Sequence, residues 1–298
     1  MDFTGKALLA PLSTFTNLPF RLLCQKYGAD GSTVPLISAR ALCMRKSPVL
    51  ELDPDPSEKS VGVQIFGYTP KDIGEAAKII AKKYDFIEYI DINCACPVKK
   101  VVATGAGSAL LKKPATVVKM INSASECCLP VTVKIRKLET NKKTLDFCKK
   151  CEKAGATAIF IHGRYPEQYY SGDSDWGVIK YIAENISVPV IGSGDIKTIS
   201  EGDERVAYSK CTAFMIGRAA MKNPSVFSGG SGTELKNKKA IFHDYLAICE
   251  SYDRIEFTDL KSKAVQFFTG FANSVRIRRK AALSKTYDEL LAAIENDY

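Results

Sequence analysis

Val188-Pro189-Val190-Ile191-Gly192-Ser193-Gly194-Asp195 and, further on, Ala213-Phe214-Met215-Ile216-Gly217-Arg218 share one pattern: a short β-rich apolar run that ends in glycine and a polar residue. A run that stays apolar without alternation reads as a strand buried on both faces. Similar runs occur at Ala7–Ala10, Ser32–Val34, Val61–Phe66, Phe86–Ile92, Val131–Ile135 and Ala158–Ile161. Amphipathic stretches at Pro70–Lys83, Ala115–Cys127, Lys142–Ala154 and Gly177–Asn185 lie between them. Strands alternating with helices at this spacing predict a parallel sheet, and eight of them predict a closed (β/α)8 TIM barrel. The strand pattern stops near Phe227, Ser228-Gly229-Gly230-Ser231-Gly232 reads as a flexible linker, and helical character runs from about Glu234 to Glu295. The expected organisation is a catalytic barrel over residues 1–227 and a small C-terminal helical domain over residues 234–298.

The chain has 298 residues, 46% of them hydrophobic, which suffices for one large core and an appendage. No apolar run reaches the ~20 residues of a membrane span. Met1-Asp2-Phe3-Thr4-Gly5-Lys6 lacks the charged stretch and apolar core of a signal peptide, so a soluble, cytoplasmic protein is expected, monomeric by default. Lys and Arg exceed Asp and Glu by 42 to 33, a net charge of +9, and Arg276, Arg278, Arg279, Lys280 and Lys285 crowd one stretch. That is either a solvated basic face or the footprint of a polyanionic partner. Ten cysteines, widely scattered, read as reduced thiols. Cys148 and Cys151 have metal-ligand spacing, but no second pair accompanies them and the only histidines are His162 and His243. They read as helix-packing residues, adjacent Cys127 and Cys128 read as structural, and no metal site is expected.

In barrels of this kind the chemistry lies on the loops that follow the strands. The strand ends carry Pro11, Gln64, Asn93 with Cys96, Lys134 with Arg136, His162 with Arg164, Ser193-Gly194-Asp195, and Gly217-Arg218, so seven of the eight contribute to a ring of candidate site residues. The glycine loops after the last two strands bring backbone N–H groups to an anion, and Arg218 adds a charge, which makes them a candidate phosphate site rather than two ordinary turns. A phosphate there, with Gln64, Lys134 and His162 facing inward, suits flavin mononucleotide (FMN), whose reduced ring is stabilised by a nearby cation. Lys134 would also serve as the Schiff-base lysine of an aldolase. A thiol on the fourth loop, beside Pro97, Lys99 and Lys100, could deliver a proton while a reduced flavin delivers hydride. Between Cys94 and Cys96 these considerations do not choose.

Asp91-Ile92-Asn93-Cys94-Ala95-Cys96-Pro97-Val98-Lys99-Lys100, followed by Gly105-Ala106-Gly107-Ser108, resembles the signature of the tRNA-dihydrouridine synthases. The resemblance extends through Val63-Gln64-Ile65-Phe66-Gly67, Ile161-His162-Gly163-Arg164, Gly192-Ser193-Gly194-Asp195, Ile216-Gly217-Arg218 and the basic tail Arg276-Ile277-Arg278-Arg279, and covers essentially the whole chain. It implies reduction of a uridine C5=C6 bond in tRNA by FMN, itself reduced by NADPH, with the cysteine before the proline, Cys96, as general acid. It further implies that Pro11, Gln64, Lys134, His162, Ser193, Gly194, Asp195, Gly217 and Arg218 hold the cofactor. Asn93, Lys99, Lys100, Arg164, Arg276, Arg278 and Arg279 would hold the RNA. The chain departs from the family pattern at Ala95, usually Gly, at Ser193, usually Asn, and in the helical domain at Lys263 and Gln266-Phe267-Phe268. The competing classes are a dihydroorotate dehydrogenase-like flavoprotein acting on a small molecule, the aldolase, and a non-catalytic RNA-binding module.

Overall fold

The computed structural model describes residues 1–44, 54–229 and 234–296. Eight parallel strands close into a barrel in sequence order: β1 Ala7–Leu9, β2 Gly31–Ser38, β3 Val61–Phe66, β4 Tyr89–Cys94, β5 Val131–Arg136, β6 Ala158–His162, β7 Val190–Ser193 and β8 Ala213–Ile216. Closure is made by β1 against β8, with Leu8 opposite Met215. The helices are α1 Leu18–Lys26, α2 Ala39–Cys43, α3 Pro70–Lys83, α4 Lys99–Ala103, α5 Pro114–Ser125, α6 Asn141–Lys153, α7 Trp176–Ala183, α8 Ile199–Ser209 and α9 Arg218–Lys222. Beyond them lie α10 Leu235–Ser251, α11 Phe257–Phe267, α12 Ser274–Leu283 and α13 Tyr287–Glu295. Side-chain caps explain where many of these helices begin: Thr69, Thr140, Asp175, Thr198 and Thr286 each accept a backbone N–H from the first turn.

Several strand bounds differ from the expected ones for identifiable reasons. β2 continues past Pro35 to Ser38 through a bulge, with the register shifting between Val34 and Ile37 and Leu36 at φ 42°. Pro35 lacks the ladder donor, and the bulge accommodates it within the strand. β7 starts at Val190 rather than Val188; the intervening Pro189 offers only its carbonyl, which accepts from Ile159 N–H at 2.9 Å. β4 spans Tyr89–Cys94 rather than Phe86–Ile92.

The barrel interior is divided along its axis. Phe3, Tyr89 and Phe160 meet edge to face with ring centroids 5.5–5.8 Å apart, and Leu8, Ile191, Ala213 and Met215 join them in one buried cluster. Towards the strands' C-terminal ends the buried residues become polar: Gln64, Asp91, Asn93, Thr132, Lys134 and Arg136. An aromatic plug therefore closes one end and leaves the chemistry at the other.

The chain's contacts form two compact units, Met1–Leu18 with Asp30–Gly217, and Pro19–Ala29 with Arg218–Tyr298. The sequence reading divided the chain after Phe227, whereas the structure divides it at Gly217 and assigns most of α1 to the second unit. There Phe20 stacks on Phe267 at 6.2 Å, Tyr27 Oη donates to Asp244 at 2.8 Å, and Lys26 pairs with Asp244. Lys263 is fully buried in this unit, bonded to Asp259 at 2.8 Å, with its ammonium near the rings of Phe20 and Tyr245. Phe267 and Phe268 are core residues. Of the expected linker, Ser228 closes a 3₁₀ turn and Gly229 follows at φ 74°; residues 230–232 lie outside the described residues. Among the described residues no helix is long and apolar enough to cross a membrane.

Candidate active site

Alternation along β3, β4 and β5 turns Gln64, Asp91, Asn93, Thr132 and Lys134 into the barrel, where they form a relay with a defined direction. Asp91 accepts from Gln64 Nε2 at 2.7 Å and from Thr132 Oγ1 at 2.8 Å. A carboxylate only accepts, so Gln64 must present its NH2 to Asp91 and its oxygen to Asn93 Nδ2, 2.8 Å away. That bond in turn aims Asn93 Oδ1 at the backbone N–H groups of Ala95, 3.2 Å, and Cys96, 2.9 Å. The amide orientations and the seat of the Cys96 backbone thus follow from one buried carboxylate.

The two candidate thiols differ in placement. Cys94 is the last residue of β4, one position out of phase with Asp91 and Asn93, and it is fully buried on the opposite face of the strand. Burial pushes its thiol well above the ordinary range, and Cys151 of α6 adds to the rise. Cys96 lies beyond the strand and is half-buried. Its carbonyl accepts from Ser108 N–H at 2.9 Å. Gly107 sits at φ 60° with room for no side chain: a Cβ there would lie 2.6 Å from Cys96 O. All ten cysteines are free thiols. Among the described residues no group of three His, Cys, Asp or Glu side chains is placed to hold a metal ion.

Lys134 pairs in register with Asn93 and is 8% exposed. Burial pushes its pKa down to about 8 against the opposing pull of Asp91, and Arg136 depresses it further. Burial likewise raises Asp91 to about 6, although Gln64, Thr132 and Lys134 all favour its charged form. Arg136, also buried, donates through Nε to Ala95 O at 3.1 Å and through Nη1 to Tyr165 O at 3.0 Å and Tyr169 O at 2.9 Å. His162 ends β6 half-buried, its Nδ1 accepting Arg164 N–H at 3.2 Å, so a neutral ring carries its proton on Nε2.

Arg164 and Asp195, expected on the RNA and on the cofactor, turn out to hold each other. Arg164 Nη2 reaches both carboxylate oxygens of Asp195 at 2.8 and 2.7 Å and also the Gly172 carbonyl, while Nε donates to Ser171 O and Gly172 O. Asp195 accepts Ser174 N–H as well, at 2.8 Å. Arg164 Nη1 is buried without an acceptor among the described residues. The Ser193 hydroxyl donates to Ile161 O at 3.2 Å, a contact within the barrel wall. Gly194 lies against Ser174, whose Oγ would be 2.1 Å from an added Cβ.

The loop after β7 does not open a helix directly: α8 begins at Ile199, capped by Thr198, with Glu201 accepting Lys197 N–H. Gly217, by contrast, ends the first unit and Arg218 is the first residue of α9. A Cβ at Gly217 would meet nothing nearer than 3.6 Å, so packing does not demand a glycine there. Pro11 is half-buried just past β1. Lys99 and Lys100 are exposed at the start of α4.

In the second unit, α12 buries Ser274, Ile277 and Ala281. Arg276, Arg279 and Lys280 line an open groove of about 620 Å³ with Asn273 and Val275. Arg278 turns sideways, half-buried, its Nε donating to Ser274 O at 3.3 Å. The sequence reading treated the three arginines alike. It also passed over Asp91, Ser108 and the loop-holding use of Arg136. The i, i+2 spacing of Asp91 to Asn93 within a strand was the available signal for the first.

A closed parallel barrel with a thiol, two amides and buried cations at its C-terminal mouth is an enzyme's arrangement. The dihydrouridine synthase family's sequence pattern matches residues 8–293. The chain is 30% identical over 302 residues to a protein of Aquifex aeolicus named "Probable tRNA-dihydrouridine synthase", covering 98% of this chain and 95% of that one. It is 34% identical over 227 residues to tRNA-dihydrouridine synthase B of Pasteurella multocida, covering 75% and 68%. Among solved structures, FabK from Thermotoga maritima aligns at TM-score 0.47 with 12% identity over 74% of this chain and 61% of that one. The chain belongs to the dihydrouridine synthase family and is an oxidoreductase.

Proposed function

We propose that the protein reduces the C5=C6 bond of a uridine in tRNA to dihydrouridine, with FMN as bound cofactor, NADPH as reductant and Cys96 as general acid. The observation that carries this reading is the seat of Cys96, held by Asn93 at the mouth of the barrel beside Lys134. The residues present fit an anionic, acceptor-rich cofactor. Lys134, Arg136 and Arg164 are buried at the mouth against two carboxylates, Asp91 and Asp195, and Arg164 Nη1 lacks an acceptor among the described residues. When bound, FMN supplies the hydride.

Lys134 and His162 would face the flavin ring, with Gln64 acting behind them through Asn93. Pro11, the backbone around Ser193 and Gly194, Gly217 and Arg218 would hold the phosphate end. Asp195 contributes by holding Arg164. Asn93 would orient the base, extruded from its stack to reach the site, and Cys96 Sγ would give its proton to C5. The thiolate so formed is stabilised by Lys134 and regains a proton from solvent. Residues 1–227 supply this chemistry. Residues 234–298, with Arg276 and Arg279 exposed and Arg278 supporting, would bind the RNA backbone, and Lys99 and Lys100 would make RNA contacts of their own. The reading is of a cytoplasmic enzyme, and nothing in the reaction requires more than a monomer.

The test is to incubate the protein with FMN, NADPH and unmodified tRNA and map dihydrouridine by mass spectrometry. Dihydrouridine should form, and Cys96→Ala should abolish most of it while FMN and tRNA still bind. Reduction of free orotate with none in tRNA, or loss with Cys94→Ala in place of Cys96→Ala, would overturn the proposal.

A further inference from the structure

Three cations at the ends of β5 and β6 converge on one loop. Arg136 holds the carbonyls of Tyr165 and Tyr169, Arg164 those of Ser171 and Gly172, and Lys137 pairs with Asp175 at 3.0 Å while lying 4.1 Å from the centre of the Tyr165 ring. The loop they hold is not relaxed: Tyr169 sits at φ 49°, a conformation a tyrosine keeps only where its surroundings impose it. Arg136 alone of the three also reaches the other side of the mouth, where its Nε donates to Ala95 O, the carbonyl of the residue before Cys96.

We propose that Arg136 is a positioning residue for Cys96, a latch that sets the spacing between the cysteine loop and the tyrosine loop by holding the backbone of both. The proposal rests on Cys96 as the proton donor. Its geometry is specific to a guanidinium. Nε and Nη1 are separate donors fixed in one plane, and they serve carbonyls from different loops simultaneously. A lysine keeps the charge but gathers its three donors on one nitrogen, so it cannot match carbonyls that lie at separate ends of the guanidinium fork. Ala95 is the residue so gripped. Its N–H is bonded to Asn93 Oδ1 and its carbonyl to Arg136 Nε, so both backbone polar groups are held.

Arg136→Lys is the informative variant, with Arg136→Gln beside it to separate charge from geometry. Two readouts bear on the latch: kcat and KM for dihydrouridine formation in tRNA, and the rate at which iodoacetamide alkylates Cys96, followed on the Cys96 peptide. A melting curve shows that each variant is folded. The expected result for Arg136→Lys is a fall in kcat of about tenfold with KM within about threefold, and Cys96 alkylated several times faster as its loop loosens. Unchanged kcat would overturn the proposal. So would a loss confined to KM with unchanged alkylation, which would make Arg136 a contact to the RNA instead. If the wild-type protein forms no dihydrouridine, the functional reading fails, yet unaltered Cys96 alkylation in Arg136→Lys would still refute the latch on its own.

Discussion

Asp91→Asn tests a costly feature of the mouth. Burial raises Asp91 from 3.8 to about 6, which corresponds to about 3 kcal/mol disfavouring its charged form in the fold. The attraction of Lys134 and the bonds from Gln64 and Thr132 are already contained in that value. Because the folded pKa is raised, this carboxyl's contribution to stability is fully present below about pH 3.8 and is lost as pH rises through about 6. An amide does not titrate. It can also keep its oxygen on Gln64 Nε2 and turn its NH2 to Thr132, whose hydroxyl then accepts. Relative to the wild type, the variant should therefore gain stability with rising pH. About 1 kcal/mol of the wild-type penalty is present at about pH 4.5 and nearly all of it by about pH 7.5, so the gap should grow by about 2 kcal/mol. The protein's single tryptophan, Trp176, is buried in the barrel unit, so its fluorescence during urea unfolding at several pH values reads this directly. A gap that stays constant, or shrinks as pH rises, would refute the reasoning. The same variant deprives Lys134 of the charge that holds its pKa up, so the alkaline limb of the pH–rate profile should move to lower pH.

Gly107→Ala should cost about 1–3 kcal/mol, because the new Cβ meets Cys96 O at 2.6 Å on a residue at φ 60°, and it should depress dihydrouridine formation by displacing the cysteine loop. A melting curve and a rate measurement check both. Cys94→Ala should leave dihydrouridine formation within about twofold and cost about 1 kcal/mol of stability, the effect of a small cavity behind the strand. Replacing Arg276, Arg279 and Lys280 together with alanine should weaken tRNA binding and flatten its logarithmic salt dependence by about 2–3, whereas Arg278→Ala should change the slope little; titrations across a salt series separate them.

The barrel was legible in sequence because its strands are buried on both faces, and runs such as Val61–Phe66 leave little else to be. What failed was local. Pro35 hid the second half of β2, since a bulge that absorbs a proline depends on the neighbouring strand. The grouping of Pro19–Ala29 with the C-terminal helices depends on Phe20 finding Phe267, a contact between residues remote in sequence. The site failed at finer grain. Cys94 and Cys96 looked equivalent because the reading ended β4 at Ile92. With the strand running to Cys94, alternation sends the Cys94 side chain out of the barrel, and Cys96 lies past the strand altogether. An error of two residues at a strand end is ordinary, and here it concealed which thiol lies within the strand and which beyond it.

The same two-fold alternation explains why an expensive carboxylate sits inside the barrel. Asparagine and glutamine each look alike from either end, so a row of amides has no inherent direction. Asp91 supplies one, because it has oxygens alone to offer: Gln64 must turn its NH2 inward, Asn93 must then donate to Gln64, and Asn93 Oδ1 is left facing the N–H groups that seat Cys96. A neutral residue at position 91 would spare the fold the net cost of about 3 kcal/mol that the charge carries there, yet would allow the row to run either way. In the reversed state Asn93 presents NH2 to two backbone N–H groups, and the Cys96 loop loses its acceptor. On this argument Asp91 works at a distance of three links, as the group that keeps the thiol's backbone in place, and its raised pKa is the consequence of doing so in a dry barrel.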